Sequence, residues 1–277
     1  MEIIMKVYVR VSIYLENETR EGRKIYNEFK NRMKKYNLEG MPSYRVEIGS
    51  EGYNYVQSVI KYCQNNDIGI DISDEGPSER VYNKKDYENA VAYRVWFLQN
   101  SYNEYEDIED VEEHCCEENR KYGLHNTIQV KPYYIPKREF GKKNCAQLDN
   151  CGYVVSKQVM DDLIQLGATE ADFWPVYTKQ KEIVCYQLMP QHEVSLKKVN
   201  GWRKKVVCPY CGYSNYYEDG SQPIYIDKAT LENLNVLNAT EEKLGGAPKY
   251  LLINKKTYNF LTAKYKRMNF EPIFLKE

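Results

Sequence analysis

Between Ile3 and Leu15, β-branched and polar residues alternate with the period of a strand that turns one face toward a core. After Thr19 the period lengthens. Ile25, Phe29 and Met33 recur about one turn apart in a charged stretch that closes near Gly40, which predicts a helix. A short strand is expected at Tyr44–Ile48, then a helix from about Tyr53 to Cys63 with Val56, Ile60 and Cys63 on one face. Ile68–Ile72 and Val91–Leu98 read as further strands. Strands and helices alternating over roughly a hundred residues predict a compact α+β sandwich, with helices on one side of a sheet.

The second half contains an internal repeat. Val154-Val155-Ser156-Lys157-Gln158-Val159-Met160-Asp161-Asp162-Leu163 aligns with Leu252-Ile253-Asn254-Lys255-Lys256-Thr257-Tyr258-Asn259-Phe260-Leu261. One residue out of step, Phe173-Trp174-Pro175-Val176-Tyr177 answers Phe270-Glu271-Pro272-Ile273-Phe274. Each copy reads as a short strand, a helix capped by Ser156 or Asn254, a turn and a second strand containing Phe-x-Pro. Proline donates no ladder hydrogen bond, so Pro175 and Pro272 are expected at an edge or a strand start. Lys131-Pro132 and Ile135-Pro136 interrupt regular structure between the halves. They place a boundary near residue 140, between an N-terminal α+β domain (1–140) and a duplicated strand–helix–strand domain (141–277).

Composition narrows the class. With 42% hydrophobic and 29% charged residues among 277, the chain is globular rather than disordered. A net charge of -1 gives the whole molecule no long-range attraction to nucleic acid or anionic lipid. No apolar run reaches the roughly 18 residues of a membrane span, and Met1–Lys6 lacks the features of a signal peptide, so the expected compartment is the cytoplasm. Eight cysteines there are reduced thiols, a subset of them holding a metal, rather than a disulfide framework. The 27 tyrosines are read either as compositional bias or as a tyrosine-rich recognition surface.

Cys208-Pro209-Tyr210-Cys211-Gly212 is the most specific motif. Two thiolates two residues apart fit adjacent corners of a zinc tetrahedron, and the glycine permits the tight turn. Lys204–Val207 reads as a strand before it and Tyr213–Asn215 as a turn after it, the context of a knuckle rather than of a redox helix start. Cys145 and Cys151, the second also followed by glycine, are the candidate third and fourth ligands of a structural zinc. The rival set is His114-Cys115-Cys116, and Cys63 and Cys185 lie on apolar patterns as core residues. His114, His125 and His192 are not at metalloprotease spacing, Gly245-Gly246 is a loop, and Asp71, Asp74 and Glu75 are loop carboxylates near a strand end. No catalytic constellation emerges, so the chain is expected not to be an enzyme.

Two charged segments remain. Residues 104–118 carry nine carboxylates without a Lys or Arg, either a solvated face or linker or a contact surface for a basic partner. Lys197, Lys198, Arg203, Lys204 and Lys205, with Trp202 among them, precede the knuckle, an arrangement that could grip nucleic acid.

From about residue 150 onward the chain resembles the bacterial double-CxxCG proteins, which are associated with polymorphic-toxin immunity. The matching residues are Val154-Val155-Ser156-Lys157 and its helix, Val184-x-Tyr186-x-Leu188-x-Pro190, Cys208-Pro209-Tyr210-Cys211-Gly212, Pro223-Ile224-Tyr225-Ile226-Asp227, and the closing repeat through Phe274. That family has its first CxxCG near the N-terminus; here Cys145-x5-Cys151-Gly152 would be a displaced substitute. The resemblance implies a non-enzymatic protein that neutralises a cognate toxin by binding it. A basic toxin surface would then meet the acidic block at Glu109, Asp110, Glu112 and Glu113. The alternative is a zinc-ribbon nucleic-acid-binding protein; neither reading involves a membrane.

Overall fold

The computed structural model describes residues 3, 5–16, 19–38, 43–97, 100–101, 111–113, 127–129, 132–148, 152–199, 202–207, 214–217, 220–242 and 249–277. The fold is mixed α+β, and the chain divides into two compact units. One is Met1–Asp86 with Asp219–Pro223; the other is Tyr87–Glu218 with Ile224–Glu277.

The first unit runs β1 (Lys6–Leu15), α1 (Arg20–Met33), β2 (Ser43–Glu47), α2 (Glu51–Asn65) and β3 (Ile70–Val81). Its sheet has the order β2-β1-β3, with β1 antiparallel to both neighbours. Alternation along β1 turns Val9, Val11 and Ile13 inward, where they share a core with Phe29 and Met33 of α1 and Val56, Val59 and Cys63 of α2. Both helices begin on a side-chain cap. Thr19 accepts from the Gly22 amide at 3.0 Å and Ser50 from the Tyr53 amide at 3.2 Å, satisfying first-turn donors that no helical carbonyl reaches. α1 ends at Met33 and tightens into a 3-10 turn at Lys34–Tyr36. The Tyr36 ring lies against Gly52, where a Cβ would come within 2.6 Å of it, so the helices approach only because residue 52 is glycine. β3 continues well past Ile72, with two register shifts around Val9↔Pro77 that carry Gly76 and Pro77 through the ladder.

α3 (Lys84–Asn89) leads into the second unit. There the chain forms β4 (Ala92–Phe97), β5 (Asn100–Ser101), β6 (Val111–Glu113), β7 (Thr127–Gln129), α4 (Lys137–Phe140), β8 (Cys145–Leu148), β9 (Tyr153–Val155) and α5 (Lys157–Leu166). β10 (Phe173–Tyr177), β11 (Ile183–Leu188), β12 (Glu193–Val194), β13 (Arg203–Val207), β14 (Ser214–Tyr217) and β15 (Ile224–Ile226) follow. α6 (Lys228–Glu232), β16 (Asn238–Thr240), β17 (Leu251–Asn254), α7 (Lys255–Lys264) and β18 (Met268–Leu275) complete it. One sheet has the order β10-β11-β9-β8-β5, a second β12-β16-β17-β4-β18-β15, and β6–β7 and β13–β14 are two-stranded ribbons.

β4 lies inside the second sheet, antiparallel to β17 and β18, with Tyr93 opposite Ile253 and Pro272. The chain therefore divides after Asp86 rather than near residue 140. The strand expected at 91–98 is present, but its pairing partners lie more than 150 residues away in sequence, beyond the reach of local pattern.

Residues 153–177 and 251–275 pass through the same order of elements. Ser156 accepts from the Val159 amide at 3.4 Å and Asn254 from the Thr257 amide at 2.9 Å, each opening its helix. In both places the two strands do not pair with each other. β11 lies between β9 and β10, antiparallel to both, as β4 lies between β17 and β18. The first set takes its inserted strand from just downstream, the second from far upstream. Pro175 sits on β10, an edge strand. Pro272 is in an interior strand. The Ile273 carbonyl accepts from the Val91 amide on the β4 side, so alternation turns the Pro272 nitrogen toward the β15 side, where pairing begins only at Ile273.

Candidate metal centre and contact surfaces

β13 and β14 form an antiparallel ribbon whose last described pair is Val207↔Ser214. The base of the ribbon is fastened to the six-stranded sheet. Trp202 and Tyr216 pack beside Ala92, Leu196, Ile224, Leu252 and Ile273, with their ring centroids 6.1 Å apart. The Lys198 ammonium lies 4.9 Å from the centre of the Tyr216 ring and 3.2 Å from Glu242 Oε1. Glu242 is buried, and its other oxygen accepts from the Leu196 amide at 3.1 Å. A buried carboxylate with an ammonium and an amide as partners fixes the segment from Leu196 to Lys198 that follows β12.

Of the four candidate ligands, Cys208, Cys211 and Cys151 lie outside the described residues, as do His114, Cys115 and Cys116. Cys145 is on β8 with 1% of its surface exposed, and its thiol is 3.8 Å from the Arg267 carbonyl. Burial pushes that thiol up to about 11. Among the described residues no group of three or more His, Cys, Asp or Glu is placed to hold a metal. Of the proposed ligands, the described residues include Cys145 alone. Cys63 lies in the core of the first unit, and Cys185 is buried with Ala146, Val154 and Val176.

In the acidic block, Glu112 pairs with Ile128 and Glu113 with Thr127 in the β6–β7 ribbon, while Glu109 and Asp110 lie outside the described residues. In the basic run, the Lys197 amide donates to the Tyr225 carbonyl at 2.8 Å, Lys198 is paired with Glu242, and the half-buried Trp202 packs against the core. His192 Nε2 lies 2.8 Å from the Asn233 carbonyl. Among the described residues no helix is long and apolar enough to cross a membrane.

One polar cluster has no signal in the sequence. Asp162 of α5 accepts from Lys264 Nζ at 2.6 Å and from the Tyr265 hydroxyl, joining the first strand–helix–strand set to the second. Burial alone would push the Asp162 carboxyl up. The hydrogen bonds from Lys264 and Tyr265, with the Lys264 charge, reverse that and hold it below the usual carboxylate range. A group held low contributes stability above its unfolded range and loses it as pH falls through the folded value. Asp162→Ala is therefore expected to cost about 1–3 kcal/mol at neutral pH and less near about pH 3. Urea unfolding of both forms at the two pH values checks this, and a difference that persists undiminished in acid would assign the effect to packing instead.

No family model matches the chain, nor does any curated protein or any solved structure.

Proposed function

We propose that this is a non-enzymatic binding protein of the cytoplasm that neutralises a cognate bacterial toxin by direct contact, built as the double-CxxCG proteins are. The observation that carries the reading is the antiparallel pairing of β13 with β14 up to Val207↔Ser214, the two strands that flank the motif Cys208-Pro209-Tyr210-Cys211-Gly212 in sequence. Beside it stand two strand–helix–strand sets with Ser156 and Asn254 at corresponding caps, which support a duplicated scaffold around a zinc knuckle. The N-terminal unit is then a helix and sheet sandwich.

The buried charges described in the second unit also suit a scaffold. Asp162 is held by Lys264 and Tyr265, and Glu271 by Arg94 at 3.2 Å. Asp172 accepts from the Thr169 and Gln191 amides, and Glu242 holds Lys198. Each joins segments of the fold to one another.

The proposed contact surface is the acidic block, with Glu109, Asp110, Glu112 and Glu113 facing a basic toxin. Replacing all four with Ala is expected to weaken binding to the toxin encoded beside this chain by about tenfold or more and to flatten its salt dependence. Titration of purified toxin against both forms over a range of salt measures this; equal affinity at every salt concentration removes the surface from the proposal. The alternative, nucleic-acid binding by the β13–β14 ribbon, has fewer free groups to work with, since Trp202 and Lys198 are engaged within the fold.

A further inference from the structure

From the first unit we infer a second binding surface, a sequence-independent contact between helix α1 and the phosphate backbone of a nucleic acid. It does not depend on the knuckle or on the acidic block. Residues 20–35 carry seven cations (Arg20, Arg23, Lys24, Lys30, Arg32, Lys34, Lys35) against Glu21 and Glu28, a local net charge of +5 in a chain of net charge -1. All seven are exposed.

Their placement around the helix is not even. With Gly22, Phe29 and Met33 buried, the outward direction is fixed. At 3.6 residues per turn, the residues within about 60° of it are Arg20, Lys24, Asn27, Glu28, Asn31, Lys34 and Lys35, with Glu28 and Lys34 at its two margins. That stripe holds four cations and one carboxylate, Glu28, which lies 4.0 Å from Lys24. Glu21 lies to one side and accepts from the Tyr62 hydroxyl. Tyrosine rings flank the stripe, with Lys30 5.1 Å from the Tyr26 ring centre and Lys35 4.9 Å from that of Tyr36. The neighbouring surface of α2 adds exposed Asn54, Ser58, Lys61, Gln64 and Asn65.

Helix stability does not account for this stripe. Cations in the last turn complement the macrodipole, but Arg20, Arg23 and Lys24 stand at the N-terminal end, where positive charge is unfavourable. Protein interfaces are depleted in lysine, which makes up most of the cations in the α1 segment. Lysine, arginine and carboxamide donors are instead the groups that contact phosphate. The distant carboxylates of the chain do not cancel the patch, because charges more than about 10 Å apart are largely screened at moderate salt.

The test is fluorescence anisotropy with the full chain and a labelled DNA duplex of about 20 base pairs, titrated over a range of salt. Lys24→Glu/Lys34→Glu/Lys35→Glu is compared with a charge-matched control, Lys228→Glu/Lys256→Glu/Lys266→Glu, drawn from exposed lysines of the second unit. The α1 variant is expected to lose about tenfold or more in affinity at low salt, with the log–log salt slope reduced by about 3, while the control stays near wild type. Circular dichroism establishes that both variants fold. An unchanged affinity in the α1 variant, or an equal loss in the control, overturns the inference. So does competition by polyglutamate as effective as that by unlabelled duplex, which would make the surface a site for acidic protein.

Discussion

Replacing Tyr93 with alanine is expected to destabilise the second unit by about 3–5 kcal/mol, the range for deleting a large buried aromatic side chain. Tyr93 is fully buried in β4, the strand that separates β17 from β18. Its ring stacks on Tyr258 with centroids 3.6 Å apart, and Tyr258 meets Phe270 edge-on at 5.1 Å. Its hydroxyl donates to the Tyr87 carbonyl at 2.6 Å, while the Tyr87 hydroxyl donates to the Phe270 carbonyl at 2.9 Å. One side chain thus joins the incoming segment, the inserted strand, α7 and β18. Removing it leaves a cavity at the junction and takes away the hydroxyl that donates to the Tyr87 carbonyl. Tyr93→Phe, which keeps the ring, should cost only about 1 kcal/mol. Urea midpoints of the two variants separate these contributions. A cost below about 1 kcal/mol for Tyr93→Ala would mean that β4 is not a stabilising partner of the two strands beside it.

What the chain announced in advance, and what it withheld, divides along the same line. Ser156 and Asn254 were identifiable as caps because capping is decided within four residues, and both accept the expected amide. The alternation from Ile3 to Leu15 predicted β1, whose odd-numbered residues Val9, Val11 and Ile13 are core. β4 was recognisable as a strand but not as a member of the C-terminal sheet, because register is set by a partner that a local window does not contain. The same holds for Asp162, whose partners Lys264 and Tyr265 are over 100 residues away. Pro272 illustrates the limit from the other side. Proline suggested an edge, but the strand is interior and the missing donor falls where β15 has not yet begun to pair.

The candidate sites were legible to different depths. The expectation at Cys208-x-x-Cys211 rests on chemistry compressed into four residues; β13 covers the strand expected at Lys204–Val207, whereas Ser214 and Asn215, expected in a turn, belong to β14, whose pairing with β13 a local window does not contain. Cys145 and Cys151 carry no such compact signature, since a tetrahedral site can recruit its further ligands from anywhere in a fold. The stripe on α1 was in the sequence throughout. Its outward side follows from the same period that set Ile25, Phe29 and Met33 one turn apart, with Phe29 and Met33 buried.

Cys208→Ser is expected to abolish zinc binding, lowering metal content from about one zinc per chain to none. A two-residue spacing supplies two ligands, and losing one of them leaves the metal too weakly held to survive purification. Cys145→Ser discriminates between the ways of completing the tetrahedron. If Cys145 and Cys151 complete it, that variant also loses the metal and the staple ties β8 to the β13–β14 ribbon. If it keeps the metal, Cys145 is a core thiol facing Arg267, and the remaining ligands lie elsewhere, with His114-Cys115-Cys116 the next set to substitute. Trp202 offers a second readout. It packs with Tyr216 at the ribbon base, so chelation should change its emission when Trp96 and Trp174 are replaced by Phe. Elemental analysis that finds no zinc in the wild-type protein removes the metal, and with it the main support for a double-CxxCG scaffold. Cys208 and Cys211 would then stand as a dithiol open to oxidation, and the toxin-binding proposal would rest on the acidic block alone.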